Sequence, residues 1–273
     1  MTTTRRRRPG ALRRLAGLLL ATATAGLGPG LLPALVPSLA PALGPGAARA
    51  ATPDLTFVTA TTYVVLPDEG RVAVTVRITA TNHLKDTTAR RYFFEEGFLS
   101  VLPGTSNFAI SGGSGSPSVA VSSSSAGAVV LRLRFGARLA AGQSASFTLT
   151  FDLVDPGGAP DRPVRISPSL VRFQAWAFAS DSTPGSSVEV VVPPAYTVEV
   201  GRGPLGGPTP NAEAWQVFTS GPLETPLTFV ADIFADRPAE YVDGRRSATV
   251  GGRTVFLVIR AWPDDAAWRE RVS

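Results

Sequence analysis

The sequence predicts an all-β protein, an antiparallel sandwich or saddle of about ten short strands with the start of a helix at its C-terminus. Three observations carry that expectation. Apolar residues recur at every second position through much of the chain from Leu55 onward, the period of half-buried strands. Turns rich in Gly, Pro, Asp and Ser separate these runs at short intervals. No interior stretch shows the three-to-four-residue spacing of an amphipathic helix, which argues against a helical or α/β architecture.

Residues 1–50 stand apart from this pattern. "TTTRRRRPGALRRLAGLLLATATAGL" has a cationic start followed by an apolar run, and the small residues Ala48 and Ala50 suit cleavage by a signal peptidase after Ala50. A membrane anchor is the competing reading, because Leu15 to Ala48 is uncharged and long enough to span a bilayer. Pro29, Gly30, Pro33, Pro37 and Pro41 interrupt that stretch, so a Pro/Ala-rich signal leader is favoured and the protein is expected to be secreted or extracytoplasmic. Arg13-Arg14 hints at twin-arginine export, but Ala16 and Gly17 stand where bulkier apolar residues are usual.

Removing the leader reverses the charge balance. Seven of the 26 basic residues and none of the 21 acidic ones precede Ala51, leaving 19 basic against 21 acidic groups. The basic excess therefore lies in the leader, and nucleic acid is excluded as an expected partner of the mature chain. Cysteine is absent, so disulfides, thiol chemistry and cysteine-ligated zinc are excluded, and stability must come from core and sheet pairing.

Within the expected domain, residues 51–262, "TYVVLPDEG" and "RVAVTVRITAT" read as a hairpin around a Pro-Asp-Glu-Gly turn. Val72, Val74, Val76, Ile78 and Ala80 then face the core, with Arg71, Thr75, Arg77, Thr79 and Thr81 opposite. "VVLRLRF" and "SFTLTFDL" alternate likewise, and the short "RLAAGQS" between them predicts that they pair as an antiparallel hairpin. Strands follow at "FQAWAF", "SSVEVVV", "YTVEVG", "EAWQVF", "LTFVADIF" and "TVFLVIRAW", the last apolar without alternation, as burial on both faces or a position beneath the following helix would require. The low-complexity stretch from Ser111 to Ala128 reads as a long flexible hairpin loop.

Candidate chemistry is sparse. His83, the only histidine, has Asp86 nearby and could be assembled into a hydrolytic triad, but no nucleophile elbow is present and a loop position is expected. One histidine and no cysteine leave an ordinary zinc site without ligands, so no cofactor is expected in this chain. Glu95 and Glu96, as neighbours in a strand, should point to opposite faces and serve as edge charges that discourage sheet-to-sheet association. Asp152, Asp155 and Asp161 offer an oxygen-rich loop for calcium, although Pro and Gly explain that loop without a metal. The glycines of "GRGPLGGP" lack the strand-then-helix context of a phosphate cradle.

Trp176, Phe178, Tyr196, Trp215, Phe218, Phe229 and Phe234 could line a carbohydrate platform, with packing between two sheets the expected alternative. In residues 263–273, Pro263, Asp264 and Asp265 suit the first turn of a helix, and Trp268 and Val272 lie four apart on one face. Trp262, Trp268 and Val272 are therefore the candidate interface with a following module.

The order of segments carries a resemblance. "RLAAGQSASFTLTFDL", "FQAWAFASDSTPGSSVEVVVPPAYTVEVGRGPL" and "WQVFTSGPLETPLTFVADIFADRPAEY" resemble, in order and character, successive parts of the amino-terminal β domain of M1-like gluzincin metallopeptidases. The resemblance spans roughly Leu55 to Trp262 and rests on no signature motif. It implies an accessory β domain whose zinc ligands and general base would belong to a following helical module with a His-Glu-x-x-His motif, absent from this chain. It also implies a fragment, inert alone, whose partner is its own downstream module. The alternative expectation is a freestanding extracellular module that binds a glycan, peptide or protein through loops such as Ser111 to Ala128. No membrane contact is expected once the leader is removed.

Overall fold

The computed structural model describes residues 53–157, 162–179, 183–238 and 242–261. The expected leader and the expected helix, with Trp262, Trp268 and Val272, lie outside the described residues.

The period-two segments become strands. β1 (Leu55–Leu66) and β2 (Arg71–Asn82) form the expected hairpin, closed by a 3-10 turn at Pro67–Glu69 and by Gly70 in the left-handed region at φ 67°. β3 (Phe93–Val101), β4 (Thr105–Gly112), β5 (Ser118–Ser124), β6 (Val129–Ala140) and β7 (Ser144–Val154) follow. Then come the two-residue β8 (Arg165–Ile166), β9 (Leu170–Trp176), β10 (Ser187–Val192), β11 (Thr197–Arg202), β12 (Gly206–Pro210) and β13 (Gln216–Thr219). A second 3-10 turn at Pro226–Thr228 leads into β14 (Val230–Asp236), and a ribbon of β15 (Val242–Val250) and β16 (Arg253–Ala261) completes the described elements. The all-β expectation holds, with sixteen described strands instead of about ten, because β3, β4, β5, β8, β12 and β15 lie outside the ten runs read as strands from the sequence.

A seven-stranded sheet has the order β12-β13-β10-β1-β2-β7-β4. A three-stranded sheet, β3-β6-β5, and a four-stranded sheet, β11-β14-β9-β8, cover its inner face. Alternation along β1 explains how one strand serves both covers. Phe57 meets Phe135 of the three-stranded sheet with ring centroids 6.5 Å apart, and Tyr63, on the same face, meets Phe173 of the four-stranded sheet at 5.6 Å. Val72, Val74, Val76, Ile78 and Ala80 are buried as the pattern of β2 required. Every named strand pairing is antiparallel except that of β1 with β10.

Two expectations are corrected. "VVLRLRF" and "SFTLTFDL" do not pair: β6 joins β3 and β5, while β7 joins β2 and β4. The connection between them is a corner between layers. Gly142 donates its N–H to the Asn82 carbonyl, the Asn82 N–H goes to the Gln143 carbonyl, and the buried Asn82 side chain donates to the Leu139 carbonyl at 3.0 Å. The apolar faces then meet by stacking, with Phe135 and Phe147 at 5.2 Å. Alternation requires only that a face be covered, and covering by the opposite layer satisfies it as well as pairing within one sheet.

The second correction concerns Ser111 to Ala128. It is not a free loop, because Ser118–Ser124 forms β5 and pairs with β6. Serine and alanine carry little strand preference, and the long apolar partner β6 supplies the template that organises them.

Candidate functional site

His83 follows the end of β2 on an exposed loop. Its Nε2 lies 2.8 Å from the Thr56 Oγ1, so its partner is a threonine of the adjacent strand. Asp86 is committed elsewhere: Arg91 donates to it at 2.7 Å and the Tyr92 N–H at 2.9 Å. The Arg91 guanidinium and that N–H hold its carboxyl below the usual range, which removes it as an orienter of His83. The triad does not assemble.

Glu95 and Glu96 lie on β3, at the free edge of the three-stranded sheet, as edge charges should. The expectation that they point to opposite faces fails. Pairing with β6 shifts between Phe94 and Glu96, and in this bulge both glutamates line one open concavity of about 720 Å³ with Arg134 and Arg138. Arg138 donates to Glu95 at 3.0 Å and stacks over the Phe93 ring, while Arg134 approaches Glu96 at 3.7 Å. Each carboxylate is matched by a guanidinium, so the concavity is electrostatically balanced.

The calcium loop is occupied by protein groups. Asp152 accepts from Arg71 and Asn107, both at 2.8 Å. Asp155 receives two N–H groups from Arg162, each at 2.6 Å, and main-chain N–H groups of Gly157 and Ile166. Burial pushes the Asp155 carboxyl up, but these donors outweigh it and hold it below the usual range. With its oxygens engaged by Arg162 it closes the loop without a metal. Asp161 lies outside the described residues. Among the described residues no group of three or more His, Asp or Glu side chains converges as metal ligands do.

The aromatic residues divide between the interior and a sheet face. Phe178, Tyr196, Phe218 and Phe229 are buried and pack as expected, Trp215 is half-buried, and Trp176 and Phe234 stand half-buried on the outer face of the four-stranded sheet, on the same side as Gln174 and Asp232. Of the "GRGPLGGP" glycines, Gly201 lies in β11, Gly203 between the strands, and Gly206 and Gly207 at the start of β12, with no α-helix after them among the described residues.

The outer face of the four-stranded sheet carries a polar cluster that the sequence reading did not single out. Arg202 places two N–H groups on the two Asp232 oxygens at 3.0 and 3.2 Å, and Gln174 donates to Asp232 at 2.9 Å. Arg202, first, and Gln174 hold the Asp232 carboxyl below its usual range despite partial burial. Polar residues interrupting the apolar strands "VRFQAW" and "VADIF" were the available signal. Beside this cluster Trp176 borders a cavity of about 260 Å³ with Leu102, Pro103 and Val164.

The ribbon β15–β16 pairs only within itself among the described strands. Val250 and Val255 at its tip are exposed, so burial on both faces fails at Val255, while the helix that the last strand was alternatively expected to lie beneath is outside the described residues.

No protein-family model matches the chain, and no curated protein does. Solved structures of M1 zinc metallopeptidases do. A mutant of the Deinococcus radiodurans enzyme bound to a Tyr-Ser-Ala substrate is 16% identical, with a TM-score of 0.43, over 79% of this chain and 52% of its own. Another structure of the M1 zinc metallopeptidase from that organism is 14% identical, with a TM-score of 0.40, over 75% of this chain and 47% of its own. The chain spans about half the length of the structures it matches.

Proposed function

We propose that the chain is a non-catalytic, extracytoplasmic β scaffold that docks a downstream metallopeptidase-like module. The observation that carries this reading is the ribbon β15–β16, which follows the layered domain yet, among the described strands, joins none of its sheets. A two-stranded ribbon is marginal in water unless a further strand or layer covers it. The sequence of β16, "RTVFLVIRA", is too apolar to favour solvent on both faces. A module continuing from Trp262, Trp268 and Val272 would supply that cover. The segment-by-segment resemblance of Leu55 to Trp262 to the amino-terminal domain of M1-like metallopeptidases supplies the kind of module, and zinc would be held there.

The test is the coding sequence after the codon for Ser273. A continuation encoding a His-Glu-x-x-His motif in a helical module supports the proposal. A stop codon at that point overturns it.

A further inference from the structure

We propose that the edge of β5 pairs antiparallel with β5 of a second copy of this chain, giving a twofold dimer. The segment Ser118-Val119-Ala120-Val121-Ser122 is a palindrome. An antiparallel pairing centred on Ala120 therefore sets Ser118 against Ser122 and Val119 against Val121 on both sides of the axis. The twofold axis makes this pairing reciprocal for any sequence, and the palindrome adds that like residues meet, serine with serine and valine with valine, so no charged or mismatched side chain opposes the contact.

Several observations favour this strand over other edges. β5 is the terminal strand of its sheet, so one row of its main-chain N–H and C=O groups faces away from β6. It carries no charge and no proline within its seven residues. Among the other edges, β3 has Glu95 and Glu96, β11 has Glu199 and Arg202, β12 has Pro208 and Pro210, β15 has Asp243, Arg245 and Arg246, β16 has Arg253 and Arg260 near its two ends, and β8 is two residues long. β4 is uncharged, but its pairing slips between Ser106 and Ala109 and Asn107 sits at φ 56°, which bends it within its length. The irregularity in β5 falls on Ser122, the last residue of the palindrome, so it touches the Ser118–Ser122 pair and leaves Val119–Val121 within the regular part of the strand. Val121 is also 52% exposed although it lies opposite the buried Leu131, and a paired copy would cover it. Cross-strand Val–Val contact is a favourable pair on a sheet face.

Sedimentation equilibrium of the full chain over a range of concentrations tests the proposal, with hydrogen exchange at Ser118–Ser124 as a second measurement. The expected result is a concentration-dependent rise toward twice the monomer mass, with the β5 amides gaining protection in step. Val121→Lys should abolish both while leaving the far-ultraviolet spectrum unchanged, because the position is exposed. Val121→Ile should retain both. A monomer at all concentrations overturns the proposal. So does a dimer that persists in Val121→Lys or that forms without added protection at β5, since each outcome puts the contact elsewhere.

Discussion

The Tyr63 hydroxyl clasps the main chain of Trp176 from both sides, donating to its carbonyl at 2.9 Å and accepting from its N–H at 2.8 Å. Tyr63 stands on β1 of the seven-stranded sheet and Trp176 ends β9 of the four-stranded sheet, so one side chain ties two layers. Burial pushes the Tyr63 hydroxyl up, which keeps it protonated and able to donate. Its ring meanwhile packs on Phe173 and Phe178, with centroids 5.6 and 6.2 Å away.

Tyr63→Phe separates the two contributions. The ring contacts remain, while the Trp176 carbonyl loses the donor at its side and its N–H loses an acceptor. Leaving a buried polar group unpaired costs about 1–3 kcal/mol. Urea unfolding should show a lower midpoint with an unchanged slope. An unaltered midpoint would mean that the clasp contributes nothing to holding the layers together.

The Asp155–Arg162 pair should make stability depend on pH in one direction. The folded carboxyl titrates below its unfolded value, so its contribution is present above the unfolded value, near pH 3.9, and is lost as pH falls through the lower folded value. Asp155→Asn should cost about 2 kcal/mol at neutral pH, since hydrogen bonds to a charged group are among the stronger ones. The gap between the two proteins should narrow as the solution is acidified below pH 4. Thermal melts across that range check it, and a constant gap would count against the assignment.

Gly97 is required by space. A Cβ at this position in β3 would overlap the Phe57 ring and press on Phe135 at 3.3 Å. Both rings belong to the packed seam between the three- and seven-stranded sheets, where there is little room to shift. Gly97→Val should therefore destabilise the domain by about 1–3 kcal/mol, read as a drop in Tm. A neutral substitution would show that the seam can open.

Truncation after Arg237 removes β15 and β16. Because this ribbon shares no sheet with the other described strands, the shortened chain should unfold at nearly the same midpoint as the full one. A large loss of stability would place the ribbon within the cooperative unit and weaken its proposed role as a docking element.

The Glu95–Glu96 pair shows how far the sequence reached toward a site. Their place on an edge strand was legible, because two adjacent charges in a strand are tolerated where one side meets water. Their shared concavity with Arg134 and Arg138 was not, because it depends on a bulge whose extra residues belong to the pairing of β3 with β6. The Asp232 cluster was hidden for a similar reason: Gln174, Arg202 and Asp232 lie on three strands, and only the order β11-β14-β9 makes them neighbours.

By itself the sequence determined the all-β class, the hairpin of β1 and β2, and which residues of β2, β6 and β7 face inward. Those properties follow from the two-residue period of the extended chain and the local demands of Pro and Gly turns. The tertiary structure alone decided that β6 and β7 belong to different layers, that β10 runs parallel to β1, and that the Ser-rich segment becomes β5. Alternation specifies a buried face without naming what buries it, so the choice of neighbour falls to the packing of whole layers.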